Sequence, residues 1–411
     1  MKKTWIAGLL ALLLAATAMA GGLAQGEPEY EAIMGEVAHE LTSGEYLAVI
    51  DRLSDDAKAQ LTAEMIASAW EATVSALGAY EGIERSAVGE DGGFIVAQAV
   101  LKHENGSQIL TLAFQPGESA LAGLYLSQQI AYVEEEPLPV PEGATEEEIV
   151  LRAGEADETH GALVLPAGDG PFPVAILLHG SGASDLDETI YGVKPFRDLA
   201  MGLAERGVAT LRYDKYSYAH PDEMMKDVSI ALEYEKDLLD AVALLQADER
   251  VGDIYLIGHS EGGMMVPRML ALVDGAAKGG VIMAGSPRPL WEIQEMQNED
   301  VIARMDEAAQ AEARALVAAE AEKAQRMADM TPEELQTESV FGITAAYQLD
   351  VITPNPIQAA LDLELPLLIV QGDKDWQVSM EHDFAAWQEG LSGADFVTLE
   401  LYPDLNHLFF R

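Results

Sequence analysis

The chemistry in this chain starts at Gly258-His259-Ser260-Glu261-Gly262. That run follows the apolar stretch Asp253-Ile-Tyr-Leu-Ile257 and precedes a helix-compatible segment from Glu261 to Val273. A serine between two glycines at a strand-to-helix junction sits on a sharp, strained turn. Side chains two residues to either side would strike the neighbouring strand and helix, which is what the glycines avoid. A hydroxyl is a weak nucleophile until a base takes its proton. A histidine, His407, stands in Tyr402-Pro-Asp-Leu-Asn406-His407-Leu-Phe-Phe410 after the last strand-like run, and two aspartates, Asp373 and Asp375, stand just past the apolar run Leu367-Leu-Ile-Val-Gln371. The loop His179-Gly180-Ser181-Gly182 closes another apolar run, Val174-Ala-Ile-Leu-Leu178. Its N–H groups, with those of the first helical turn after Ser260, could hold the oxyanion of an attacked carbonyl.

These fragments need a scaffold that brings loop ends together, and the second part of the chain has the pattern for one. Strand-like runs occur at Ile149–Arg152, Gly161–Leu165, Val174–Leu178, Val208–Arg212, Ile254–Gly258, Gly280–Ala284, Leu367–Gln371 and Phe396–Leu401. Helical runs at Phe196–Arg206, Asp227–Leu245, Glu261–Val273 and Met380–Leu391 separate most of them. The inner runs are continuously apolar, as parallel strands covered on both faces must be. The expectation is an opening hairpin followed by a doubly wound, mostly parallel sheet over residues 148–411. The stretch between Ala284 and Leu367 is too long for one crossover, and Ile302, Met305, Ala309, Ala313 and Leu316 recur at helical spacing. It is expected to form a helical lid over about 287–361. Met296, Met305, Met327 and Met330, with Trp291 and Ile293, offer it an adaptable apolar face; ordinary helix packing is the alternative.

Residues 27–131 predict a separate α+β module. Tyr30 to Leu41 and Leu61 to Leu77 are apolar at helical spacing, after which the period changes to two. Phe94–Leu101 and Gln108–Phe114 flank the turn signal Glu104-Asn105-Gly106-Ser107, and Leu121–Ser127 follows Pro116-Gly117 as a third strand. Residues 132–147, rich in Pro and Glu, read as an extended, solvated linker.

Lys2-Lys3, the apolar stretch Ile6 to Ala16 and Ala18-Met19-Ala20 have the order of a secretory signal peptide over residues 1–20, which predicts export to the periplasm or beyond the cell. The apolar stretch falls well short of the ~20 residues of a membrane span, so no stable span is expected. The chain has no cysteine, which excludes disulfides, thiolate metal sites and a cysteine nucleophile. Twenty-four Lys and Arg against 70 Asp and Glu give a net charge of −46, unsuited to nucleic acid or anionic membrane. No metal-ligand or phosphate-loop spacing is present, so neither metal nor cofactor is expected. The oligomeric state is not readable.

The order Ser260, Asp375, His407, with the loop at His179, resembles the α/β-hydrolase family over roughly residues 148–411. Gln377-Val-Ser-Met380 and Leu405-Asn-His-Leu-Phe409 are similar to exported bacterial members that carry an uncharacterised N-terminal domain. The resemblance implies an α/β-hydrolase fold and a Ser-His-Asp triad. It selects Asp375 as the acid, because the family's aspartate stands three residues past the strand-end glycine, and leaves Asp373 as a turn former. It assigns the oxyanion hole to the backbone N–H groups of Ser181 and Glu261. The implied activity is a serine hydrolase cleaving a small-molecule carboxylic ester through an acyl-enzyme. The same machinery cleaves amides, so a serine peptidase is the alternative, and a non-catalytic exported binding protein is a third reading. The family commonly continues into a final helix, whereas four residues follow His407 here, which predicts a frayed setting for the base. His259 is expected to pack beneath the sheet, His179 to order its loop through a backbone contact, and His382 is the alternative base. His39 and His103 are expected at the surface, and Arg212-Tyr-Asp-Lys215 in a structural ion pair.

Overall fold

The computed structural model describes residues 30–58, 61–91, 94–126, 130–131, 138–190, 193–224, 228–303 and 307–410. The signal peptide expected at 1–20 and the first part of the expected linker, 132–137, lie outside them. Two compact units are present, the second covering Glu136–Thr189 and Lys194–Arg411. Among the described residues no helix is long and apolar enough to cross a membrane.

In the first unit, α1 (Tyr30–Thr42), α2 (Tyr46–Arg52) and α3 (Ala63–Leu77) accompany an antiparallel sheet whose main path is β1 (Tyr80–Asp91), β2 (Phe94–His103), β3 (Gly106–Phe114) and β4 (Leu121–Leu126). The helices turn Tyr30, Met34, Val37, Leu41 and Trp70 onto Ile95, Leu112 and Phe114 of the sheet. His103 and Gly106 pair across the Glu104-Asn105 turn, as the turn signal predicts. Strand β1 escapes the sequence pattern because among the described residues it pairs only with β2, and it exposes Ile83 and Glu84, so it carries no alternating apolar signal. His39 is exposed as expected, but His103 is not a surface residue. It is fully buried, its ring 5.5 Å from that of Trp70 and 5.8 Å from that of Tyr80, with Nδ1 3.1 Å from the Gly78 carbonyl.

The second unit is built on an eight-stranded sheet. β5 (Thr145–Leu151) and β6 (Thr159–Leu165) form the opening hairpin. Then come β7 (Phe172–Leu178), α4 (Pro195–Ala204), β8 (Ala209–Tyr213), α5 (Lys236–Gln246), β9 (Val251–His259), α6 (Glu261–Leu272) and β10 (Ala277–Met283). The spatial order is completed by β11 (Leu367–Gly372) and β12 (Val397–Tyr402), giving β12-β11-β10-β9-β7-β8-β6-β5. All six strands from β12 to β8 run parallel, and β6 joins β8 antiparallel. Val174, Ile176, Leu177, Leu256 and Ile369 are almost fully buried, as strands covered on both faces require. Strand β5 begins at Thr145, paired with Leu165, so the expected solvated linker ends earlier than 147. The glutamates of β5 conceal it: on an edge strand they pair outward, Glu147 with Arg250 and Glu146 with Arg197 and Arg212.

Between β10 and β11 lie α7 (Leu290–Ile302), α8 (Glu307–Gln325) and α9 (Ala345–Val351), with a short ladder of Ser339–Val340 on Ile343–Thr344. Ile302, Val317, Met327, Val340 and Phe341 form a core belonging to this insertion, with Trp291 and Met330 packed on it. Met327, Met330 and Trp291 therefore serve ordinary packing; Met305 lies outside the described residues. The expected range to 361 is too long. Helix α10 (Pro356–Leu363), N-capped by Asn355 Oδ1 on the N–H groups of Ile357 and Gln358, packs against α6 as a crossover helix of the sheet.

Candidate active site

Parallel strands deliver their C-terminal ends to one edge, and the predicted site residues all sit on loops leaving that edge. Ser260 follows β9 and opens α6 with φ 53° and ψ −118°, a conformation rarely held by a residue with a Cβ. Its N–H donates to the Met283 carbonyl at 2.9 Å and its carbonyl accepts from Met264 at 3.0 Å, so the turn is pinned from both sides. A Cβ on Gly258 would lie 2.1 Å from the Gly262 carbonyl oxygen, and one on Gly262 would lie 2.2 Å from that of Leu178. The two flanking glycines are thus steric requirements of the helix and of the neighbouring strand.

Asp375 follows β11 and His407 follows β12. His407 Nδ1 is 2.7 Å from Asp375 Oδ2, and both side chains are buried. The same oxygen accepts from Gln371 Nε2 at 2.7 Å, while Oδ1 accepts from the N–H groups of Gln377 and Val378, each at 2.9 Å. With Nδ1–H committed to Asp375, Nε2 of His407 is left as the acceptor. Asp373 Oδ1 accepts from the Asp404 N–H at 2.8 Å, a turn contact between the two loops. The segment carrying His407 is not frayed. Asn406 Oδ1 accepts from Leu408 and Phe410, the Asn406 N–H donates to the Phe410 carbonyl, and the His407 carbonyl lies 2.9 Å from His259 Nε2. No hydrogen bond joins the Ser260 hydroxyl to His407; the two loops meet through the His259–His407 contact, where the rings are 4.8 Å apart. His382 is exposed, its N–H capping onto Ser379 Oγ.

The loop after β7 approaches the serine closely: a Cβ on Gly180 would stand 3.2 Å from Ser260 Cβ. Ser181 follows on the exposed side of that loop, and Glu261 is the first residue of α6, where a helix supplies no acceptor for its own N–H. His179 Nε2 is 2.9 Å from the Asp185 carbonyl, the backbone contact expected of it, and burial pushes its pKa down to about 4. Lys215 Nζ donates to the Gly180 carbonyl at 2.7 Å, and Tyr234 Oη donates to that of His179 at 2.9 Å. Lys215 is paired with Glu233 Oε1 at 2.8 Å. Tyr347, from α9 of the insertion, places its hydroxyl 2.5 Å from both Glu233 Oε2 and Glu261 Oε1. Burial holds the Glu261 carboxyl above the usual range. Arg212 is fully buried against Asp187 at 2.9 Å and Glu146 at 2.5 Å, the ion pair expected of it.

The sequence profile of the alpha/beta hydrolase family matches residues 175–411, more than half of the chain. The chain belongs to the α/β-hydrolase family. Among curated proteins it is similar to Esterase EstD of Thermotoga maritima, 30% identical over 380 residues, which covers 90% of this chain and 85% of EstD. Residues 35–124 match the family described as a protein of unknown function, DUF3887. Among solved structures it resembles Est1E from Butyrivibrio proteoclasticus at 19% identity and TM-score 0.44, covering 64% of this chain and 91% of that one. The Pyrococcus furiosus esterase Pf2001 overlaps at 15% identity and TM-score 0.41, covering 64% and 83%.

Several residues around the site of this α/β-hydrolase escape sequence reasoning. Gln371 is a buried polar side chain at the end of an apolar strand, the one such residue in Leu367–Gln371, and that break in pattern was its signal. Glu188, Glu233 and Tyr347 carry no local signal, because what defines them is a partner distant in sequence. Among the described residues no cluster of three or more His, Cys, Asp or Glu is placed to hold a metal ion.

Proposed function

We propose that this α/β-hydrolase is an exported serine hydrolase that cleaves carboxylic esters of small molecules through Ser260, His407 and Asp375. The observation carrying the reading is the Asp375–His407 bond of 2.7 Å on loops beside the positive-φ serine. Ester rather than amide chemistry is supported by the relative named as an esterase, aligned over 90% of the chain. His407 Nε2 takes the hydroxyl proton as Ser260 Oγ attacks the carbonyl carbon. Asp375 fixes the ring tautomer and stabilises the imidazolium that forms. The N–H groups of Ser181 and Glu261 receive the oxyanion, and one such donor is worth on the order of 3 kcal/mol. Collapse expels the alcohol, which takes the proton from His407 and leaves an acyl-Ser260. Water, deprotonated by the same nitrogen, attacks the acyl carbon; collapse breaks the bond to Ser260 Oγ, which takes the proton back from His407, and the acid is released. The contact of Tyr347 with Glu261 supports reading the insertion as a cover over the nucleophile.

Purified protein should hydrolyse short-chain p-nitrophenyl esters, and Ser260→Ala should abolish this. A fluorophosphonate probe should label Ser260; a folded sample that takes up no label would move the assignment to a binding protein. Turnover of aminoacyl-p-nitroanilides without ester preference would replace esterase by peptidase. Export rests on the Lys2-Lys3, Ile6–Ala16 and Ala18-Met19-Ala20 pattern and is checked by N-terminal mass spectrometry of the secreted fraction, which should find a start near Gly21.

A further inference from the structure

His259 lies between the nucleophile and the base, and both of its ring nitrogens are engaged. Nε2 is 2.9 Å from the His407 carbonyl oxygen, which can only accept. Nδ1 is 3.1 Å from both oxygens of Glu188. Glu188 Oε1 also accepts from the Gly180 N–H at 2.7 Å, so this carboxylate ties the oxyanion loop to the elbow. It is almost fully buried on a left-handed backbone, φ 51°, a conformation that a glutamate holds only when its surroundings fix it. A ring facing a carbonyl on one side and a carboxylate on the other is satisfied on both when it carries two protons.

We propose that His259 is a charged positioning residue of the triad. As an imidazolium it anchors the His407 carbonyl to the Glu188 carboxylate and so sets the place of the His407 ring. The groups that face it are Glu188 from the loop after β7, Asp375 from the loop after β11 and His407 from the loop after β12. His179 is close enough to Glu188 to interact with it electrostatically. Burial opposes charge on both members of the pair, yet their mutual attraction and hydrogen bond leave His259 raised and Glu188 lowered from their ordinary values. The two rings are centred 4.8 Å apart, so the place of the His407 ring depends on how His259 is held.

The inference rests on Ser260 and His407 being nucleophile and base, and its test separates the two. ¹⁵N-histidine NMR of the wild-type protein should show one doubly protonated ring persisting at pH 8, where an ordinary histidine is neutral. His259→Gln should remove that signal and Glu188→Gln should convert it to a neutral ring. In His259→Gln, kcat should fall about tenfold to a hundredfold with KM little changed. Glu188→Gln should give the same loss of kcat at little-changed KM, which keeps the test open if the first variant does not fold. A neutral His259 at pH 8 in the wild type, or a kcat that stays in place in the folded variants, overturns the proposal. Fluorophosphonate labelling decides the underlying reading independently: wild-type protein that labels at Ser260 while the folded variants keep full kcat refutes the role of His259 alone.

Discussion

Two glutamates share one phenol next to Ser260, and they should respond unequally to the same substitution. Tyr347 Oη is 2.5 Å from Glu233 Oε2 and 2.5 Å from Glu261 Oε1, but a phenol has one proton to give. The second short contact needs a proton from a carboxyl, and Glu261 is the group that burial pushes toward holding one. Glu233 is instead committed to the buried Lys215 ammonium at 2.8 Å. Glu233→Gln therefore breaks a buried ion pair and strands Lys215, which costs about 3–5 kcal/mol. Glu261→Gln replaces the protonated carboxyl with an amide whose N–H can take over the donation to Tyr347 Oη, so its cost should stay below about 1.5 kcal/mol. Urea denaturation at pH 7 compares the two.

The pH dependence gives a second reading of the same pair. A native value above the ordinary one means the folded state binds the proton more tightly. Glu261's contribution is then fully present below the ordinary glutamate value and lost as pH rises through the raised native value. Glu261→Gln has nothing to titrate, so its deficit against wild type should shrink with rising pH. A deficit that grows with pH, or one equal to that of Glu233→Gln, would show Glu261 to be an ionised carboxylate and refute the reasoning.

Asp375→Asn should lower kcat by about 10⁴, because the amide favours the wrong tautomer of His407, and should cost about 1–3 kcal/mol of stability, because its NH2 meets N–H donors on a buried side chain; steady-state ester kinetics and urea denaturation measure the two. Gly262→Ala places a Cβ 2.2 Å from the Leu178 carbonyl oxygen, so soluble yield and thermal melting should both collapse. Asn355→Ala removes the cap of α10 and should cost about 1 kcal/mol in urea denaturation without altering kcat.

The legible parts of this protein are those in which the backbone constrains its own residues. The elbow glycines, the apolar inner strands and the Glu104-Asn105 turn each answer a local steric or hydrogen-bonding demand, and so leave a mark within a few positions. Strands β1 and β5 were harder to see because edge strands are half solvated: Glu146 and Glu147 look like linker until Arg212 and Arg250 are beside them. The insertion was misread at its C-terminal end for a related reason. Helix α10 has the same Ala-rich apolar spacing as α8, and only its packing on α6 assigns it to the sheet. His103 misled because a histidine after an apolar strand reads as its solvated end, while here Trp70 and Tyr80 enclose it.

The residues that tune the site were illegible for a deeper reason: each is defined by a charge it meets across the fold. Holding Ser260 at φ 53° costs of order 1–3 kcal/mol, and the elbow's own hydrogen bonds to Met283 and Met264 only define the turn. What surrounds it is a set of buried polar links, most of them between loops. Glu188 joins the loop after β7 to His259, His259 joins the elbow to the His407 segment, Gln371 ties Asp375 and Val378 of one loop to the end of β11, and Lys215 joins the Gly180 carbonyl to Glu233. In a low-dielectric interior a satisfied link of this kind is strong and a broken one is expensive, so the loops are fixed relative to one another rather than each by its own sequence. That arrangement suits the acyl transfer proposed for this site, which needs donors and acceptors in place before charge develops. Ser260 can be found from five residues, whereas the environment that would make it reactive comes from loops spread between Gly180 and His407.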